Sequence, residues 1–138
     1  MEELRIGVIG YSKQEFDKSV AVGMIRRAYD VIDNLCPERT KAVVSGLTDV
    51  GIPALAYREA VARGWRTIGI ACSKAEKYEC FPVDEKIIEG SEWGQESPRF
   101  IESIDVLVRV GGGDQSVRET AECKKRGMLI TEHDLPAQ

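Results

Sequence analysis

The sequence has little with which to build a metal site or a redox centre. It holds one histidine, His133, and four cysteines, Cys36, Cys72, Cys80 and Cys123, none in a C-x-x-C pair. A zinc site would have to draw on Cys72, Cys80 and His133, whose spacing fits no common zinc pattern. No metal and no resident cofactor is expected, and the thiols read as reduced core or surface groups. A surplus of positive charge is also missing: 19 Lys and Arg stand against 23 Asp and Glu, a net charge of −4. Charge-driven attachment to nucleic acid needs a basic face, so that class is set aside. A small anion held by backbone amides stays open. No apolar run reaches the ~18 residues needed to cross a bilayer, so no membrane partner is expected. The opening Met1-Glu2-Glu3-Leu4-Arg5 lacks the basic and apolar regions of a secretory signal, and a cytoplasmic location is expected.

What is present suits one globular domain over residues 1–138. At 43% hydrophobic and 30% charged residues, the chain can bury a core without disulfide or metal staples. Two hydrophobic periods alternate along it. Leu4 to Gly10 is a short apolar run of strand type. From about Phe16 to Leu35 the apolar residues Ala21, Met24, Ile25, Ala28, Ile32 and Leu35 recur on one helical stripe, ended by Pro37. Lys41 to Ser45 reads as a strand, Pro53 to about Gly64 as a helix, and Thr67 to Cys72 as a third strand. Residues 73–98 have no clear period apart from a short strand near Lys86-Ile87-Ile88. A short helix from about Pro98 to Ser103, a strand from Asp105 to Val110, a helix from about Val117 to Arg126 and a strand from Met128 to Thr131 complete the chain.

Strands alternating with crossover helices imply right-handed βαβ units and an α/β fold. The expected architecture is a three-layer, doubly wound, Rossmann-like parallel sheet of about five strands. The order 3-2-1-4-5 puts the Asp105–Val110 strand beside the first. Ligands of such sheets sit beyond the carboxyl strand ends, where the strand order reverses.

Three loops at that edge share one chemistry: Gly10-Tyr11-Ser12, Ser45-Gly46-Leu47-Thr48-Asp49-Val50-Gly51 and Gly111-Gly112-Gly113-Asp114-Gln115-Ser116. Each precedes a helix, whose unpaired N–H groups and dipole favour an anion. Glycine admits close backbone approach, and Ser12, Thr48 and Ser116 add hydroxyl donors. Turn and cap geometry alone also selects such residues. Ser116-x-x-Glu119 and Ser12-x-x-Glu15 both match a capping box, which by itself accounts for Glu119. Glu119 also stands where a catalytic carboxylate could face the crevice. Arg99 and Arg118 could reach a phosphate or be solvated. Asp49 could hold a ribose hydroxyl or stabilise its turn. Arg109, inside a strand, could pair with a carboxylate. Tyr78, Phe81 and Trp93 could stack on a base or pack a lid.

At these loops the chain resembles the SLOG superfamily, the Rossmann-like group that includes the Lonely Guy phosphoribohydrolases, often misnamed lysine decarboxylases. Residues 45–54, continuing to Gly64 and Ile68-Gly69-Ile70, are similar to its glycine-rich turn, helix and following strand. Residues 105–119 are similar to its D-x-x-I-x-L-PGG-x-GT-x-x-E motif, with Gly112, Gly113, Ser116 and Glu119 on the glycines, the threonine and the glutamate. Gly111 stands for the motif's proline, Gln115 for its last glycine, and Glu96 for the arginine of the catalytic members, with Arg99 one turn later. The resemblance implies a nucleotide or nucleotide-like phosphorylated ligand at the glycine loops. It implies cleavage of the N-glycosidic bond of a nucleoside 5′-monophosphate, with Glu119 and Arg99 as catalytic residues, or else a non-catalytic sensor or carrier. It further implies a homodimer or higher homo-oligomer.

Overall fold

A computed structural model describes residues 2–138. It contains β1 (Leu4–Gly10), α1 (Lys18–Leu35), β2 (Lys41–Ser45), α2 (Gly51–Ala62), β3 (Arg66–Ala71), β4 (Glu85–Ile88), α3 (Ser97–Glu102), β5 (Val106–Val110), α4 (Asp114–Lys125) and β6 (Leu129–His133). All strand pairs are parallel, and the sheet order is β4-β3-β2-β1-β5-β6. The count is six strands rather than about five. The extra one is β4, which pairs Ile70 with Ile87 and continues the sheet beyond β3. The inner order is the one anticipated.

Side chains alternate across the sheet, so each strand feeds two cores. Ile6, Val8, Val43, Val106 and Val108 pack on one face beneath α1 and α2, against Ile25, Tyr29, Ile32, Ala56 and Tyr57. Ala42, Val44, Ile68, Ile70 and Leu107 pack on the other, against Phe100, Ile101 and Ile104 of α3 and its C-terminal turn and Cys123 of α4. Burying strands on both faces is why β1, β2, β3 and β5 read as nearly unbroken apolar runs.

The helix starts differ from expectation. Asp17, not Ser12, caps α1: its carboxylate accepts from the Val20 amide at 3.2 Å. Gly113 caps α4, which starts at Asp114, three residues before Val117. Ser116 is therefore the third helical residue, and neither capping box forms. α2 starts at Gly51, so Pro53 is its third residue rather than its first. Gly64 and Gly127 follow their helices with φ of +76° and +71°, the left-handed stop that glycine permits.

The stretch between β3 and β4 has a clear structural role. Residues 73–77 form a 3-10 turn. Cys80 then bridges antiparallel to Thr48, and the Asp49 and Phe81 amides donate to the Glu79 and Leu47 carbonyls at 2.9 and 3.0 Å. Phe81 packs on Tyr57 with ring centroids 5.1 Å apart. The excursion thus braces the β2–α2 loop from outside.

Candidate functional site

The strand order reverses between β2-β1 and β5-β6, and the chain leaves β1 toward one face and β5 toward the other. A crevice opens there because no crossover fills it. It is a cavity of ≈ 380 Å³, large enough for a nucleotide-sized ligand. Gly10, Ser12, Lys13 and Gln14 line it from the β1 loop; Ser45, Gly46 and Thr48 from the β2 loop; Gly113, Asp114, Gln115, Ser116 and Glu119 from the β5 loop and α4. All three loops singled out in the sequence meet at one cavity.

The parts contribute unequally. The Ser45 hydroxyl is spent on the Val8 carbonyl at 2.6 Å, so it joins β2 to β1 inside the core. Tyr57 holds the Gly46 carbonyl at 2.6 Å and fixes that loop from below. Gly111 and Gly112 have φ of +62° and +110°, backbone that other residues rarely adopt, and they turn the chain from β5 into α4 without lining the cavity themselves. Among the described residues no side chain caps α4. Its first amides are therefore unspent, and the residues that carry them, Gly113 to Ser116, line the cavity, the arrangement that favours an anion. The N-terminus of α2 is partly used, since the Ile52 amide donates to the Tyr11 carbonyl at 2.8 Å.

Other expected residues lie elsewhere. Gly51 starts α2 against the Tyr11 and Ser12 carbonyls, outside the cavity lining. Asp49 accepts from Arg58 at 3.0 Å. Arg99 pairs with Glu89 at 3.3 Å on the exposed side of α3. Arg118 is exposed on α4 and does not line the cavity. Arg109 bonds Glu132 at 3.1 Å, Asp134 at 2.6 Å and the Gly111 carbonyl at 2.9 Å, tying β5, β6 and the glycine loop together. Phe81 is a packing residue. Trp93 lines the cavity and lies 6.2 Å from Tyr78, over whose ring Lys13 Nζ stands at 5.0 Å. Among the described residues no three His, Cys, Asp or Glu side chains gather as a metal-binding group.

The cavity also joins Glu119 and Gln115 to Glu96 and Ser97, a grouping that no local pattern indicated. Glu96 and Glu119 are buried, at 8% and 6% exposure, and both line it. Glu119 Oε2 accepts from the Ser97 hydroxyl at 2.7 Å and lies 3.5 Å from Gln115 Nε2. Gln115 Nε2 also donates to Glu96 Oε2 at 3.1 Å, and the Gly94 amide donates to Glu96 Oε1 at 2.9 Å. Burial raises the Glu119 carboxyl above its ordinary range; the Ser97 and Gln115 bonds oppose this, and the Glu96 charge adds to it. Lys13 is the one cationic side chain among the described lining residues, against Glu96, Asp114 and Glu119. Glu119 was legible in the sequence; for its joining to Glu96 the signal was that Glu96 and Gln115 depart from the motif the chain resembles, and in the fold those two residues touch.

No protein-family model and no curated protein matches the sequence. Solved structures do match the fold. The Moco carrier protein from Chlamydomonas reinhardtii aligns over 95% of this chain and 76% of its own, at TM-score 0.75 and 22% identity. The molybdenum cofactor binding protein from Rippkaea orientalis aligns over 96% and 77%, at TM-score 0.76 and 22% identity. A structural-genomics target, TM1055, aligns over 92% and 72%, at TM-score 0.69 and 17% identity. The shared fold is Rossmann-like. Identity this low establishes common architecture. No helix is long and apolar enough to cross a membrane among the described residues.

Proposed function

We propose that this protein binds a nucleotide or nucleotide-like phosphorylated ligand at the switch-point cavity, and that it holds the ligand rather than cleaving it. One observation carries the reading: the uncapped N-terminus of α4 opens onto a cavity bordered by three glycine-containing strand-end loops. The phosphate would rest on the amides of Gly113 to Ser116, with Ser12, Thr48 and Lys13 around it. The heterocycle would extend toward Trp93 and Glu96. Membership of the SLOG group belongs to the same proposal, supported by the motif residues and the fold.

Holding is favoured over hydrolysis by the fate of the catalytic arginine. Glu96 takes its place within the cavity, and Arg99 is paired with Glu89 outside it. A carrier or sensor role accords with fold neighbours described as carrying or binding the molybdenum cofactor, so that cofactor joins nucleotides as a ligand to test. A second reading, N-glycosidic hydrolysis, draws on Glu119, whose raised carboxyl suits an acid. Self-association is proposed through the exposed Val20, Val31 and Leu35 on α1.

Trp93 is half exposed at the cavity, whereas Trp65 packs on Tyr29. Titration of nucleoside 5′-monophosphates and of the molybdenum cofactor should change Trp93 emission saturably, and Trp93→Phe should remove the change. Chromatography of the same mixtures should find no free base. Base release lost in Glu119→Gln would establish the hydrolase instead. No emission change and no release with any of these compounds would refute the binding reading.

A further inference from the structure

The carboxylate cluster in the cavity lining has a one-sided hydrogen-bonding capacity. Its donors are used internally: the Ser97 hydroxyl on Glu119 Oε2, and the Gln115 amide on Glu96 Oε2 and toward Ser97 and Glu119. Its acceptors are not. Each ionised carboxylate offers about four lone-pair sites. Glu96 accepts from the Gly94 amide and from Gln115. Glu119 accepts only through Oε2; among the described residues Oε1 receives no hydrogen bond, although the side chain is more than nine-tenths buried and lines the cavity. Glu119 Oε1 is not sealed from solvent; it opens onto the cavity, where it can accept from whatever enters. Elsewhere in the lining, Lys13 and the uncapped start of α4 supply the reverse.

The two departures from the family motif make this arrangement. An arginine at position 96 would add donors and a positive charge beside Glu119, and a glycine at position 115 would remove the amide that joins the carboxylates. Glu96 and Gln115 instead hydrogen-bond each other at 3.1 Å, across 19 residues of sequence.

We propose that Glu96, Gln115 and Glu119 set the base specificity of the cavity, selecting a heterocycle that presents adjacent ring and amino N–H donors, the edge of guanine, over one that presents a ring lone pair. This rests on the phosphorylated-ligand reading above. Guanine offers N1–H and N2–H₂ side by side to one carboxylate, a bidentate match. Hypoxanthine keeps N1–H and lacks the amine. Adenine turns the N1 lone pair toward Glu119, where two acceptors would oppose each other in a buried site.

The test is calorimetric titration of the full chain with GMP, IMP and AMP, side by side with Glu119→Gln and Glu96→Gln. Glutamine preserves shape while exchanging a lone-pair face for an amide donor. The wild type should bind GMP roughly ten- to hundred-fold more tightly than AMP, with IMP between, the range expected of one bidentate pair. Glu119→Gln should reduce that ratio at least about tenfold, chiefly by weakening GMP, with AMP unchanged or tighter. Glu96→Gln, which keeps Glu119 Oε1 free, should lower the ratio less. Thermal melts of each variant establish that it is folded. Equal affinity of the wild type for GMP and AMP, or an unaltered ratio in folded Glu119→Gln, would overturn the selection alone. Failure of all three monophosphates to bind would overturn the selection, and with no emission change on adding the other monophosphates or the molybdenum cofactor it would overturn the ligand reading beneath it as well.

Discussion

Replacing Gly113 by alanine separates a loop kept for folding from one kept for a ligand. Gly113 caps α4 with φ −102° and ψ −153°, extended backbone open to any L residue. A Cβ built there meets nothing within 4 Å. Two small effects on stability oppose each other. Glycine to alanine at a compatible position stiffens the unfolded chain and stabilises by about 0.4–1 kcal/mol. Alanine is a poorer N-cap than glycine, at a cost of about 0.5–1 kcal/mol. The net should lie within about 0.5 kcal/mol of zero, or roughly 2 °C in Tm for a domain of this size. Binding should respond very differently. The added methyl group stands at the mouth of the α4 amides, where a phosphate would have to come within hydrogen-bonding distance. Losing one charge-assisted bond, worth about 1.5–3 kcal/mol, weakens affinity roughly ten- to hundred-fold. Differential scanning fluorimetry and calorimetric titration with a 5′-monophosphate measure the two quantities on one sample. Unchanged affinity at unchanged Tm would show that no anion sits on this loop.

Gly10→Ala should do the opposite, damaging the fold first. Its Cβ would collide with the Val110 carbonyl oxygen of the adjacent strand and lie 2.6 Å from Ile52 Cγ1. Backbone cannot rotate aside, so a loss of about 3 kcal/mol is expected in urea unfolding; a loss below about 1 kcal/mol would mean that β1 and β5 part freely. Stability should also depend on pH through Glu119. Burial raises its folded-state carboxyl above the unfolded value of 4.5, so the folded protein holds that proton more tightly. The stabilisation is complete below the unfolded value and is lost as pH rises through the raised folded one. Glu119→Gln should flatten this portion of the urea-midpoint profile between acidic and neutral pH. Parallel profiles for the two proteins would refute the assignment.

The alternation of strands and helices is legible in the sequence because burial leaves a local periodic mark. Runs such as Ala42-Val43-Val44 and Val106-Leu107-Val108 are apolar at every position because both faces of the sheet are covered. Right-handed crossovers then limit the order of the strands, and glycines after β1, β2 and β5 point to the loaded edge. β4 is harder to weigh because a short, partly exposed edge strand carries little apolar signal.

Local pattern fails where several local solutions compete. Ser116-x-x-Glu119 is a valid capping box in sequence, yet the glycine loop lets α4 start earlier, and the Glu119 carboxylate turns to Ser97 across 22 residues. Arg99 looked available to a phosphate until the phase of α3 placed it toward Glu89. The composition and periodicity of the chain thus determine by themselves that it is a parallel α/β fold with glycine-rich loops at the carboxyl edge of its sheet, since those properties arise from neighbours along the backbone. Which side chains meet inside the cavity is decided only by tertiary structure. Glu96 and Ser97 stand at the start of α3 and Gln115 and Glu119 lie on α4, segments unrelated in local sequence, and only their packing on one face of the sheet brings the lone pairs and donors within hydrogen-bonding reach.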